Sequence, residues 1–237
     1  MNDDIYGHLL SGLPDGLTVE AVSLGRSWTA ARLSDGSVGM AAHFAGNAKG
    51  DISKLAGKPV RDAAALIMSA DDEAAGAGLA VANACYNSVS RVEALNCGVS
   101  YETLCTDGMD LRGVRVGVIG RMRRTAEKLR GAEEVFVFEL DARDGELPAS
   151  EEPRLLPECG VVIATGTALM NHTLPDILAW APGAQVVLLG PSVPLCPGIP
   201  GISRLSGFVL TDRDGFWRWN AEAGGSPMAF CRPYLLK

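Results

Sequence analysis

The chain lacks any apolar run of the roughly eighteen residues needed to cross a bilayer, and its Met1–Tyr6 start is acidic where a secretory leader would be basic. Both absences point to a cytoplasmic protein with no membrane partner. None of the six cysteines (Cys85, Cys97, Cys105, Cys159, Cys196, Cys231) stands in a C-x-x-C pair, so neither a zinc ribbon nor a compact disulfide framework is expected, and the thiols should be reduced and buried. Positive charge is scarce as well. The net charge is −7 and the only Lys/Arg group is Arg121, Arg123, Arg124, Lys128 and Arg130, which fits one exposed helix face and leaves nucleic acid without an electrostatic footprint. Only three histidines (His8, His43, His172) are available for a metal centre.

What remains is an ordinary globular composition, 47% hydrophobic and 21% charged, in 237 residues, enough for two domains of roughly 100–130 residues each. The first half reads as an antiparallel meander followed by helices. Strands are expected at Thr18–Leu24, Trp28–Leu33 and Ser37–Ala42, with Ser34-Asp35-Gly36 as the tight turn. A loop over Gly46–Lys58 then precedes helices at Val60–Ser69 and Glu73–Val89. From Arg115 the pattern changes. Arg115–Ile119, Glu134–Leu140, Val161–Thr165 and Gln185–Leu189 are short Val/Ile-rich runs suited to strands covered on both faces. Helical segments at Arg123–Arg130 and Leu174–Trp180 alternate with them, and Phe208–Thr211 is one more candidate strand. The expectation is an α/β protein: a small α+β domain over residues 1–108, then a Rossmann-like three-layer domain with a mainly parallel sheet over 109–237.

Parallel sheets bind ligands beyond the carboxyl ends of their strands, which singles out Gly120-Arg121, Glu139, Thr165-Gly166-Thr167 and Gly190-Pro191-Ser192. Counting G-x-G-x-x-G from Gly117 puts Ile119 and Met122 where glycines belong, so no NAD or FAD is expected. Glu139 nevertheless lies about twenty residues after Gly120, the offset of an acid that binds ribose hydroxyls. In the run Thr165–Thr173, a glycine between two hydroxyl residues exposes backbone N–H groups to a ligand. Thr173 with Asp176 resembles a capping box, whereas Thr165, Gly166 and Asn171 exceed what one helix start requires. His172 is a candidate metal ligand or acid/base group, and Cys196 a candidate soft thiolate for a heavy metal. Asn83 and Asn87, four apart on one helix, suit either buried hydrogen bonding or a face turned to an interdomain cleft.

Several stretches together resemble the family of heavy-metal-chelation domain proteins, also classed as a domain of unknown function. They are Gly76–Asn87, Val116–Gly120, Asp144-Gly145-Glu146-Leu147-Pro148, Leu156-Pro157, the T-G-T-x-x-x-N-x-T run at Thr165–Thr173 and Leu189–Leu195. The resemblance covers most of the chain and is strongest from Val161 to Leu195. It implies a first domain like the N-terminal domain of enolases, a Rossmann-like second domain, and an active site in the cleft between them. It implies no enolase chemistry, since enolase's metal-bearing barrel has no counterpart. Three positions depart from the family pattern. Arg121 replaces an aromatic or apolar residue, Gly160 replaces an acid, and His172 replaces a small residue; Arg121 would favour an anionic ligand.

Three functional readings stand together. In the first, the cleft binds a transition or heavy metal, a metal chelate or a small anionic metabolite. In the second, the protein is a transferase or lyase with a nucleoside-bearing cofactor such as S-adenosylmethionine, Glu139 meeting the ribose. In the third it is a non-catalytic interaction or dimerisation module, with a second copy as partner. No nucleophile–base pair or carboxylate dyad identifies a reaction.

Overall fold

The computed structural model describes residues 2–46, 52–99, 105–129, 131–222 and 225–237. Arg130 and the middle of the loop expected over Gly46–Lys58 lie outside them. Helix α1 (Asn2–Ser11) comes first, an element the sequence pattern did not announce, followed by an antiparallel sheet in the order β1 (Val19–Leu24), β2 (Trp28–Leu33), β3 (Val38–Ala42). The expected helix at Val60–Ser69 forms as α2 (Val60–Ala64) tightened into a 3-10 turn over Ala65–Met68. The long expected helix divides in two, α3 (Asp72–Tyr86) and α4 (Val89–Ala94), because Asn87 leaves helical geometry and Ser88 opens a new helix, its hydroxyl accepting from the Arg91 amide.

Every residue of α3 from Glu73 to Tyr86 is buried, as suits a helix that is Ala/Gly-rich all round. Glycine makes the contacts close. A Cβ at Gly39 would stand 2.1 Å from the Ala84 nitrogen and 2.3 Å from the Ala80 oxygen, and one at Gly78 would stand 2.2 Å from the Ile67 nitrogen. Strand β3 and the turn after α2 therefore lie directly on the α3 backbone, with no side chain between.

The second half builds a sheet in the order β4-β11-β10-β9-β8-β5-β6-β7, from β4 (Gly98–Val99), β5 (Arg115–Ile119), β6 (Glu134–Glu139), β7 (Leu147–Pro148), β8 (Val161–Thr165), β9 (Gln185–Leu189), β10 (Arg204–Leu210) and β11 (Cys231–Leu236). Strands β5 to β10 are mutually parallel, while at one edge β11 pairs antiparallel with β10 and β4 antiparallel with β11. In chain order the six parallel strands lie 3-2-1-4-5-6, the doubly wound order whose switch point falls between β5 and β8. Their helices are short: α5 (Arg123–Ala126) stops well before Arg130, and α6 (Glu152–Leu155), α7 (Leu174–Trp180) and α8 (Arg213–Glu222) follow. All six cysteines are free thiols, five of them buried. Among the described residues no helix is long and apolar enough to cross a membrane.

The halves interlock. The first lends edge strand β4 to the large sheet. The second lends α8 to the small one, where Asp214 pairs with Arg32 at 3.0 Å, Arg32 lies 4.6 Å over the Trp217 ring and Arg213 donates to the Gly36 carbonyl. Between them, Asn87 donates to the Val193 and Phe208 carbonyls at 2.8 and 3.2 Å and accepts from the Leu195 amide at 2.8 Å. The Ala42 amide donates to the Ser192 hydroxyl at 2.9 Å. The small sheet and α3 thus sit across the carboxyl ends of β9 and β10.

Asn87→Ala should lower unfolding stability by about 2–4 kcal/mol, because it leaves buried carbonyls and an amide without partners. Urea denaturation midpoints at an unchanged m-value would check this. A change within about 0.5 kcal/mol would contradict the bridging role.

Candidate functional site

Where the first half leaves the sheet uncovered, at the carboxyl ends of β5, β6 and β8, the structure holds a cavity of about 400 Å³. It lies at the switch point, where doubly wound sheets place their ligands. Seven of the expected residues border it: Gly120, Arg121, Glu139, Thr165, Thr167, Asn171 and Thr173. Phe44, just beyond β3, is the first half's contribution to this wall.

Each of these side chains is placed by a local device. Gly120 turns with φ +100°, and a Cβ there would come 2.9 Å from Thr165 Cγ2, so the turn after β5 folds directly onto the end of β8. The Thr165 hydroxyl accepts from the Thr167 amide at 3.4 Å and from the Thr167 hydroxyl at 3.2 Å, capping the 3-10 turn Gly166–Leu169. Asn171 Oδ1 accepts from the Thr173 hydroxyl at 2.9 Å and the Thr173 amide at 3.3 Å. The capping box expected of Thr173 and Asp176 is therefore not formed. Thr173 has helical φ/ψ and caps nothing, because the asparagine two residues earlier takes its hydroxyl.

Arg121 also differs from expectation. Its Nε and Nη2 donate to the two Glu146 oxygens at 3.1 and 3.0 Å, and Nη2 donates to the Asp141 carbonyl at 2.7 Å. Glu146 in turn accepts from the Arg143 amide. This two-pronged carboxylate contact holds the loop after β6 and raises the Arg121 pKa. The guanidinium expected to attract an anion is already matched by an acid.

Other expected residues lie elsewhere. Gly166 is buried, and what approaches its main chain is the chain itself: a Cβ there would stand 2.8 Å from the Ser192 carbonyl carbon and from Val193. Ser192 is buried and accepts from Ala42, and neither it nor Gly190 and Pro191 borders the cavity. Asn83 donates to the Met40 carbonyl at 2.8 Å, inside the α3–β3 contact. Asn87 borders a separate space of about 350 Å³ by β10, with Asp35, Ser37, Thr211 and Arg213. The two asparagines thus take the buried hydrogen-bonding alternative.

The two metal-ligand candidates do not border the cavity either. His172 adopts φ +60°, its Nε2 meets the Ile67 carbonyl at 2.9 Å and its ring stands edge-on to Tyr6, away from the cavity. Cys196 is buried in the loop after β9, beside Tyr86, and burial pushes its thiol pKa up. Among the described residues no group of three or more His, Cys, Asp or Glu is arranged to hold a metal ion.

Glu152 was not anticipated. It borders the cavity, is only 6% exposed, and its carboxyl makes no hydrogen bond or ion pair with another described residue. Burial pushes its carboxyl from 4.5 up to about 7. A signal existed in its spacing, since Glu152 shares one helical face with the buried Leu155 and Leu156, but the adjacent Glu151 made the pair look solvated. Asp176, Leu140 and Trp180 are among the other wall residues that sequence reasoning missed.

Fold and cavity together define a two-part α/β protein with a ligand-sized space at the switch point of its parallel sheet. The chain belongs to the DUF364 family: residues 107–234 match that family's model and residues 6–86 match the companion DUF4213 model, both described as "Putative heavy-metal chelation". A crystal structure of a DUF364 protein of unknown function from Desulfitobacterium hafniense is similar over 100% of this chain and 98% of its own, with a TM-score of 0.90 at 26% identity. A second, from Pyrococcus horikoshii, shares the fold with a TM-score of 0.78 at 20% identity over 99% of this chain and 98% of its own. An uncharacterized Methanocaldococcus jannaschii protein, MJ0500, is 31% identical over 109 residues, which is 42% of this chain and 42% of that protein.

A carboxyl raised from 4.5 to about 7 by folding favours the native state fully below its unfolded value, and that contribution is lost as pH rises toward 7. The difference in stability between the natural protein and Glu152→Gln should therefore shift against the natural protein between about pH 4.5 and 7, then level off. Parallel denaturation curves across that range would show it; a pH-independent difference would refute the buried, unpaired state of this carboxyl.

Proposed function

We propose that the protein binds a small organic molecule, free or as the chelate of a metal ion, in the cavity at the ends of β5, β6 and β8. One observation carries the reading: residues from three strand ends, singled out by position alone, converge on one space of about 400 Å³, a volume in the usual range of ligand pockets. The wall combines acceptors, including Thr165, Asn171 and Glu139, with the apolar Ile119, Phe138, Ala168 and Trp180. Such a wall suits an organic body with a few directed polar groups.

The donor set fits a chelate better than a bare ion. The carboxylates at the cavity do not form a preassembled group of three, so they cannot satisfy a free cation's coordination alone. A metal that arrives with its own organic ligands needs only one or two protein oxygens, which Glu139 and Glu152 can offer. The family's description supports this metal-linked form.

A second reading rests on Glu139, at the end of the second parallel strand and on the cavity wall, where an acid meets ribose hydroxyls. It makes the ligand a nucleoside-bearing cofactor and predicts that Glu139→Ala removes its binding.

Native mass spectrometry of protein purified without chelators, with metal analysis of the same sample, should find a co-purifying small molecule. Ala149→Trp, which fills the border of the cavity, should lower its occupancy at least about tenfold while leaving the thermal midpoint within a few degrees. Absence of any bound species, together with no thermal shift from a broad metabolite and metal-chelate panel, would sink the proposal.

A further inference from the structure

The charges around the cavity are unbalanced. Arg121 is the one basic residue among the described residues of the wall, and it is matched by Glu146. Glu139 from the end of β6, Asp176 from α7 and Glu152 from α6 face the same space. Asp176 is exposed and Glu139 half-buried, so water screens both. Glu152 is different: it is buried, and its helix neighbours Glu151 and Arg154 pair with each other. Among the described residues no cation pairs with it, and a buried carboxyl without a partner is costly to ionise.

Beside the acids the wall carries exposed apolar side chains. Phe44 is 41% exposed and Leu140 80% exposed, and both border the cavity, as does Trp180. Large apolar side chains held in water beside a buried carboxyl match a ligand with a hydrocarbon or aromatic body and one positive charge.

We propose that the cavity selects an organic cation, an amidinium or ammonium carried on an apolar body, and that Glu152 is the group that receives its charge. This rests on the reading of the cavity as a ligand site and adds its charge and chemical class. Binding exchanges one partner for another: the Glu152 carboxyl loses its proton to solvent, and the carboxylate so formed pairs with the ligand cation. Below neutral pH, association therefore releases a proton, and at higher pH, where Glu152 is already ionised, it does not.

The full chain can be tested with three probes that share one ring and differ in charge: benzamidine, benzamide and benzoate. Binding is followed by ligand-observed NMR and by calorimetry in buffers of different ionisation enthalpy. Benzamidine should bind at least about tenfold more tightly than the other two, with close to one proton released at about pH 6 and almost none at about pH 8.5. In Glu152→Gln the preference should fall to within about threefold and the proton release should vanish, whereas Glu152→Asp should retain most of both. The proposal is overturned if benzamide or benzoate binds as well as benzamidine, if no probe binds, or if preference and proton release survive in Glu152→Gln. Neutral or anionic probes that perturb Leu140 and Thr165 resonances, where benzamidine does not, would leave the cavity a ligand site and remove only its charge assignment.

Discussion

The close seating of α3 against β3 sets the rest of the molecule. A strand can lie on a helix backbone only where both surfaces are stripped of side chains, and here Gly39 meets Ala80, Asn83 and Ala84 without intervening atoms. That contact fixes the end of β3 and the C-terminus of α3 together as one rigid edge. From this edge Ala42 and Asn87 reach across to the segment after β9 and to β10. Half of the sheet's carboxyl edge is thereby covered by protein, and the half left open is the switch point between β5 and β8. The location of the cavity follows from where a small-residue helix is allowed to pack.

The electrostatics of the open half follow from a second local commitment. Glu146, itself almost fully buried as a side chain, engages the Arg121 guanidinium with both oxygens and so holds the loop that follows β6. That pairing matches the one positive charge that the described residues place on the cavity wall. The consequence reverses what Arg121 suggests in isolation: a basic residue at a strand end invites an anion, but one already matched by a buried acid leaves the remaining carboxylates to set the sign of the site. Glu152, the most buried of these, then becomes the group whose protonation a ligand can alter.

The parallel sheet was legible because strands covered on both faces are short, apolar and β-branched. Arg115–Ile119, Val161–Thr165 and Gln185–Leu189 formed over the ranges their composition indicated. Strand ends were legible for the same reason, and they led directly to Gly120, Glu139, Thr165 and Asn171. Among the elements that escaped, α1, α8 and β11 draw their stability from partners far away in the chain. Strand β11 reads as a strand because β10 and β4 flank it, and α8, rich in Trp and Arg, is held by Arg32 and the small sheet.

By itself, then, the sequence determined the strand-and-helix alternation, the absence of a dinucleotide fingerprint, and which strand ends carry polar groups, since these depend on residue type and spacing along the chain. Only the tertiary structure decided which of those groups share a space. Gly166, Ser192, Asn83 and Asn87 became packing and bridging residues because another part of the chain came within hydrogen-bonding or contact distance of each. Glu152 came to border the cavity because folding placed a carboxyl with a half-buried acidic neighbour against a space where no described cation pairs with it. Such outcomes depend on distances between segments remote in sequence, and local pattern does not encode those distances.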